Sequence, residues 1–275
     1  MVSLFDIRFV VTGLYLAAAV AYMLLLNGKL RGARIPKQLL MAALAGHLVE
    51  ILARGAEAGA AGGAPFVGLS GFISIFAFLV ASIYLYLAER HRVHPLGAFY
   101  IPVILVLQGI GALIRTPVTD IPRLKTGYLL VLHVVPSAMA YAAFAVAFVA
   151  ALAFLLLERQ IRKKRFGQLM RNLPNLDLVE KVNAQSVQIG LVLLCFGAIV
   201  GVVMGYREWG DAYRWDLKNW ATYTIIFVYA LQVALRCFWG FSGRRSVLLS
   251  LVGFGLVVCG FTVVNYYFSP LHGMV

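Results

Sequence analysis

Eight apolar runs, separated by short polar or charged segments, divide the chain. Their limits lie near 9–27, 37–54, 68–88, 96–114, 127–157, 184–205, 218–240 and 245–268. At a rise of about 1.5 Å per residue, about 20 apolar residues cross about 30 Å of hydrocarbon. Lipid offers backbone N–H and C=O groups no partners, so such segments form helices. We therefore predict an all-α, polytopic membrane helical bundle of about eight transmembrane helices, with residues 1–275 forming a single domain.

Composition supports this prediction, because 62% of the residues are hydrophobic and only 13% are charged, which excludes a water-soluble surface. The formal net charge of +13 lies mainly in the short loops, so we expect membrane lipid and no nucleic acid as a partner. The three cysteines, Cys195, Cys237 and Cys259, form no CxxC pair. A thiol redox motif or a structural zinc site is therefore not expected.

The distribution of Lys and Arg predicts the orientation. Loops 28–37, 89–95, 158–183 and 236–245 contain 16 of these residues, and the segments on the opposite side contain 7. Because Lys and Arg favour cytoplasmic loops, we predict that both termini are extracytoplasmic, in a bacterial inner (cytoplasmic) membrane. The basic loop from Arg159 to Lys181 is then cytoplasmic. It acts as a topology determinant or, alternatively, contacts anionic lipid or a cytoplasmic partner.

Histidines are the candidate ligands, since imidazole binds iron and is rare in helices that face lipid. His91 and His94 fall in the short loop ERHRVHP and are expected to be solvated. The predicted topology puts His133 and His272 near the outer membrane face. They could share a ligand there, or they could cap helices and make interfacial hydrogen bonds.

His47 lies in the second span with Glu50 and Arg54 on the same helix face. Charged residues at bilayer depth are costly, so we expect this stripe to face the bundle interior. It is either a functional site or an internal Glu50–Arg54 salt bridge beside a hydrogen-bonded histidine.

An aromatic segment, Tyr206 to Trp220, connects the sixth and seventh spans on the predicted outer side. Its aromatic residues include Trp209, Tyr213, Trp215 and Trp220. They could anchor the chain at the membrane interface. Alternatively they could form a platform that stacks on a planar macrocycle, with propionates bound by Arg207, Arg214 or Lys218.

This segment carries the resemblance to a known family. WGDAYRWDLK resembles the signature WGxYWxWDPKE of the cytochrome c assembly proteins, the group that contains CcsA, CcmC, CcmF and HemX-like proteins. Four other features are similar to the family's conserved segments: LHVVPSAMAYAAF (132–144), VYALQVALR (228–236), SPLHG (269–273) and the H-x(6)-R spacing that begins at His47. Their order fits the HemX-like, eight-span branch best.

The resemblance implies a haem site at the extracytoplasmic face. His133 and His272 would be the axial ligands of the iron of haem b. The platform would include Trp209, Gly210, Trp215 and Asp216. His47 would be a membrane histidine linked to haem passage.

Some residues depart from the family pattern. Ala234 stands where a second membrane histidine is usual, before the retained Arg236. In the signature, Tyr213 replaces Trp, Leu217 replaces Pro, Asn219 replaces Glu, and Trp220 comes one place early. The outer site is therefore better supported than an inner bis-histidine site.

The function that this resemblance implies is haem handling in cytochrome c biogenesis, with a cytochrome c maturation partner or an apocytochrome c as the other protein. We expect a haem chaperone or a synthase subunit rather than an independent enzyme, because the chain contains no P-loop, nucleophile elbow or HExxH motif and so no assigned catalytic residue. One alternative is a HemX-like regulator of glutamyl-tRNA reductase and tetrapyrrole synthesis. The other is a small-solute transporter or a non-catalytic scaffold subunit.

Overall fold

The computed structural model describes residues 4–60, 69–114, 127–164, 172–210 and 217–260. The helices within them are α1 (Leu4–Leu26), α2 (Arg34–Ala60), α3 (Leu69–His91), α4 (Gly97–Leu113), α5 (Gly127–Arg162), α6 (Leu176–Trp209), α7 (Leu217–Trp239) and α8 (Arg244–Cys259). A short 3-10 turn, His94–Leu96, precedes α4. These described residues contain no strand. The first seven helices include stretches long and apolar enough to cross a membrane, which confirms the prediction of an all-α, multi-pass membrane protein.

Several helices extend beyond the apolar runs that predicted them, among them α2, which occupies Arg34–Ala60 where 37–54 was predicted, and also α5 and α6. The fifth run was predicted to end at 157, but α5 continues to Arg162, where its guanidinium pairs with Glu158 at 2.7 Å. The sixth run was predicted over 184–205, but α6 occupies Leu176–Trp209. The predicted loop over 158–183 is therefore wrong at both ends. Hydropathy falls at the first charged residues, whereas helical hydrogen bonding continues through them to a terminating residue.

The first of two compact units comprises residues 1–125 and 156–178. In it, α1 packs against α2 and α4, and α3 packs against α4 and α2. Three fully buried tyrosines form part of its core. Tyr22 lies edge-on to Tyr84 at 6.2 Å between ring centroids, and Tyr84 stacks on Tyr100 at 4.6 Å. Gly97 touches the Tyr22 ring so closely that a Cβ would collide with it.

The second unit comprises residues 126–155 and 179–275. At its centre Phe144 of α5 stacks on Tyr229 of α7, with ring centroids 3.8 Å apart and planes inclined by 6°. Gly253 of α8 faces the same tyrosine, and a Cβ there would lie 2.7 Å from its Cζ. Small residues thus let these helices approach closely, which is how membrane helices gain packing energy. The assignment of one domain to residues 1–275 stays a prediction.

Candidate functional site

His133 is held in a defined orientation by the backbone of α6. Its Nδ1 lies 2.8 Å from the carbonyl oxygen of Gly197. A carbonyl only accepts hydrogen bonds, so Nδ1 carries the proton and donates. In a neutral imidazole the lone pair then belongs to Nε2. Metal-binding histidines generally have this arrangement, in which the second nitrogen donates to a carbonyl or carboxylate.

Two glycines of α6 make room for the half-buried ring of His133 and for Ser137, one turn along α5. A Cβ on Gly201 would lie 2.6 Å from Cε1 and 2.7 Å from Nδ1 of His133, closer than real side chains approach. A Cβ on Gly197 would collide with Ser137, whose hydroxyl donates to the His133 carbonyl at 2.7 Å. The position of His133 therefore depends on the absence of side chains at both places.

The helix α6, which contacts His133 at Gly201, ends where the tryptophan-rich segment begins. Trp209 is the last residue of α6, and Gly210 follows with a φ of 53°, the left-handed conformation that commonly ends helices. Eight residues separate Gly201 from Trp209, or about 12 Å of helix. Gly210 is exposed. Trp215, Asp216 and His272 lie outside the described residues, so their predicted roles stay predictions.

His47 lies in the first unit and is fully buried. Its Nδ1 is 3.0 Å from the hydroxyl of Tyr15 on α1, and its Nε2 is 3.0 Å from the hydroxyl of Ser74 on α3. The rings of Tyr15 and Phe78 lie edge-on to it, at centroid distances of 5.6 and 5.5 Å. The histidine, which belongs to α2, is thus enclosed by residues from α1 and α3.

Glu50, which is 1% exposed, is linked to His47 through Ser74 and also lies next to Arg8. Its Oε1 accepts from Ser74 at 3.2 Å and lies 3.5 Å from Nε of Arg8, while its Oε2 accepts from Gln108 at 2.7 Å. The predicted stripe therefore faces the bundle interior as expected. The arginine paired with Glu50 comes from α1, since Arg54 donates to Ser70 at 3.0 Å.

A second polar cluster lies in the second unit, where the family pattern has its second membrane histidine. Half-buried Ala234 occupies that position. Two residues further along α7, Arg236 forms an ion pair with Glu180 of α6. The buried amide of Gln232 donates to the hydroxyl of Ser250 at 2.8 Å. At this end of α7, Gln232 and Ala234 are therefore neutral, and the charge of Arg236 is paired with Glu180.

Sequence reasoning missed several of these residues. Gly197 and Gly201 form a GxxxG spacing in an apolar helix, a recognised signal of close helix packing that would have identified them. Tyr15, Ser74 and Gln108 had no such signal, because single polar residues in apolar runs do not reveal their partners.

Among the described residues no three His, Cys, Asp or Glu side chains form a cluster that could hold a metal ion. An iron held by porphyrin needs only axial ligands.

A known protein family matches most of the chain, including the segment that contains His133. The profile of a family described as Cytochrome C assembly protein matches residues 65–272, a range that includes His133 and ends at His272. His47 precedes it.

Individual relatives match parts of the chain. The cytochrome c biogenesis protein CcsA of Prochlorococcus marinus is 31% identical over 172 residues, 55% of this chain and 55% of that protein. Protein HemX of Brevibacillus brevis is 25% identical over 160 residues, 56% of this chain and 57% of that protein. The CcsA of Synechococcus elongatus is 35% identical over 97 residues, 35% of this chain and 30% of that protein. The chain spans about half the length of the curated relatives it matches.

Proposed function

The chain belongs to the cytochrome c assembly protein family, which confirms the resemblance carried by its motifs, and we propose that it binds haem and presents it at the extracytoplasmic face during cytochrome c assembly. His133 and His272 are the proposed axial ligands. Trp209, Gly210, Trp215 and Asp216 belong to the proposed platform, and His47 is the proposed membrane histidine on the haem's route. The bound haem b is cargo for a maturation partner or an apocytochrome c.

The orientation of the His133 ring is the observation that carries this proposal. The Gly197 carbonyl accepts a hydrogen bond from Nδ1–H, so the lone pair that an iron requires lies on Nε2. Gly201 leaves room for the ring itself, and Gly197 leaves room for Ser137, whose hydroxyl donates to the His133 carbonyl. The close approach of Gly201 is therefore best explained by a need to position this imidazole.

The charge distribution supports the proposed outer face. His133 is the seventh residue of α5, and α5 ends at Arg162, next to the basic segment predicted to be cytoplasmic. The two ends of a helix this long lie on opposite sides of a bilayer, since its 36 residues extend about 54 Å. The His133 end is therefore the proposed extracytoplasmic end.

Visible absorption spectroscopy of the detergent-purified protein tests the proposal. We expect a Soret band and sharp bands on reduction in protein from haem-replete cells, as two nitrogen ligands produce. His133→Ala and His272→Ala should each remove or shift these bands and lower cellular cytochrome c. His91→Ala, at the end of α3, is the matched control and should leave the spectrum unchanged.

Two outcomes would contradict the proposal. One is a wild-type protein that takes up no haem, either in cells or when haemin is added. The other is a haem spectrum that persists unchanged in the His133→Ala/His272→Ala double variant, because the iron would then have other ligands.

The similarity to HemX favours one second candidate, the regulatory function implied by the resemblance to HemX-like proteins. Such a protein would sense haem without passing it on, so it would need no second membrane histidine, in agreement with Ala234. Deleting the gene should then change the amount of glutamyl-tRNA reductase while cytochrome c remains normal. An unchanged reductase level would eliminate this candidate.

A further inference from the structure

Gln232 of α7, which is 2% exposed, has an amide whose orientation is fixed by its partners. Its Nε2 donates to the Ser246 carbonyl at 3.0 Å and to the Ser250 hydroxyl at 2.8 Å. A carbonyl only accepts hydrogen bonds, and the Ser250 hydroxyl already donates its proton to Oδ1 of Asn183 at 3.0 Å. Both partners of Gln232 are therefore acceptors, and turning the amide over would set its oxygen against them.

The oxygen of this amide is left without a donor. Oε1 of Gln232 is buried and has no hydrogen-bond partner in the part of the chain that the structure describes. A buried acceptor without a donor is costly, so nearly all such groups bind to the protein or to a bound molecule. Oε1 is therefore a candidate contact for a ligand that carries a donor.

A small cavity borders Gln232 within the second unit. Its volume is about 10 Å³, and Gln188, Arg236 and Ser246 are among the other side chains that line it. This volume is sufficient for one group of the size of water, such as a hydroxyl. Gln188 is exposed and the Arg236 side chain is 28% exposed, so the cavity opens to the surface of the helices.

Arg236 brings a positive charge to this cavity. Its Nη1 donates to Glu180, so the other guanidinium N–H groups can donate to a second acceptor, and their planar arrangement suits a phosphate. On this side of the second unit the described ends of α6, α7 and α8 carry more basic than acidic side chains. They are Lys181, Arg236, Arg244 and Arg245 against Asp177 and Glu180. An anionic ligand is therefore favoured over a neutral one.

The cavity lies at the depth of lipid headgroups. Phe238 and Trp239 at the end of α7 are 78% and 73% exposed, and exposed aromatic residues of this kind lie at the membrane interface. Arg236 precedes Trp239 by three residues and Gln232 precedes it by seven, or about 5 and 10 Å of helix. A phosphate bound to Arg236 would therefore belong to the headgroup layer.

We propose that this cavity binds the headgroup of an anionic phospholipid that carries hydroxyl groups, as phosphatidylglycerol does. The phosphate binds Arg236, and one headgroup hydroxyl enters the cavity and donates to Oε1 of Gln232. An anionic lipid without a headgroup hydroxyl would leave Oε1 without a donor, and a zwitterionic lipid would lack the net charge. This site is independent of the proposed haem-handling function.

Native mass spectrometry of the full chain in detergent measures the affinity for the first bound lipid. Phosphatidylmethanol is the decisive comparison, because it has the charge of phosphatidylglycerol but no headgroup hydroxyl. We expect phosphatidylglycerol to bind about 3- to 10-fold more tightly, the value of one neutral hydrogen bond. Phosphatidylcholine should bind most weakly, and excess glycerol 1-phosphate should not displace the lipid, because it has no acyl chains.

Two variants assign the contacts. Gln232→Leu removes the acceptor and should make phosphatidylglycerol and phosphatidylmethanol bind equally. Glu180→Gln/Arg236→Gln removes the arginine without leaving a buried carboxylate unpaired, and should weaken both anionic lipids by at least about 10-fold. The matched control is Glu158→Gln/Arg162→Gln, which removes a glutamate–arginine pair of α5 outside the cavity and should change neither affinity.

Four outcomes would overturn the proposal. Equal binding of phosphatidylglycerol and phosphatidylmethanol to the wild-type protein would mean that the cavity holds only water, and this comparison decides the question even if Gln232→Leu fails to fold. Displacement by glycerol 1-phosphate would identify a free phosphate as the ligand. A preference for phosphatidylglycerol that persists in folded Gln232→Leu would exclude Oε1, and unchanged binding in Glu180→Gln/Arg236→Gln would exclude Arg236.

Discussion

Adding one methyl group beside the His133 ring should test how the proposed iron ligand is positioned. In Gly201→Ala the new Cβ would lie 2.6 Å from Cε1 and 2.7 Å from Nδ1 of His133. Carbon atoms pack at about 3.5 to 4.0 Å, so the ring or α6 must move by about 1 Å. The Nδ1 to Gly197 oxygen distance of 2.8 Å would then approach the length at which a hydrogen bond no longer exists.

Two magnitudes follow from this displacement. Overpacking of a close contact costs about 1 to 3 kcal/mol of stability. Loss of the partner that orients a metal-binding histidine lowers metal affinity by about 10- to 100-fold. We therefore expect Gly201→Ala to weaken haemin binding by that factor and to lower the stability of the fold by about 1 to 3 kcal/mol.

The assay is a haemin titration followed at the Soret band, together with thermal unfolding in the same detergent. Gly255→Ala is the matched control, because Gly255 is an exposed glycine of α8 in the same unit, and within the described part of the chain no atom lies within 4 Å of an added Cβ. It should bind haemin normally and gain up to about 1 kcal/mol of stability from helix propensity. Wild-type haemin affinity in folded Gly201→Ala would refute the idea that this glycine positions the ligand.

Two further predictions concern stability. Glu50→Gln leaves buried Arg8 without its carboxylate and should cost about 3 to 5 kcal/mol, whereas Glu158→Gln breaks a pair with the largely exposed Arg162 and should cost no more than about 0.5 kcal/mol. Thermal unfolding of both variants checks this, and equal losses would contradict it. Tyr229→Phe removes a buried hydroxyl that has no hydrogen-bond partner among the described residues, so stability should stay the same or rise. A clear drop in its unfolding temperature would show that the hydroxyl has a partner.

The sequence by itself determined the helical, multi-pass architecture and the family. Lipid leaves the backbone no alternative to helices, so the length and spacing of apolar runs were sufficient for the fold class. The extra turns of α5 and α6 could not be predicted from the same signal, because helical hydrogen bonding continues past the point where hydropathy falls. The family resemblance also selected His133 and His272 as candidate axial ligands, and His47 as a membrane histidine linked to haem passage, before any geometry was known.

Only the tertiary structure decided which groups hydrogen-bond to the rings of His133 and His47. Gly197 lies 64 residues from His133 along the chain, and Tyr15 lies 32 residues from His47. Glu50 likewise meets Gln108, 58 residues away, and Arg8 of α1. A hydrophobic pattern records only which face of a helix is apolar. Which polar groups meet across helices depends on how the helices pack, and this packing determines where each proton and each lone pair lies.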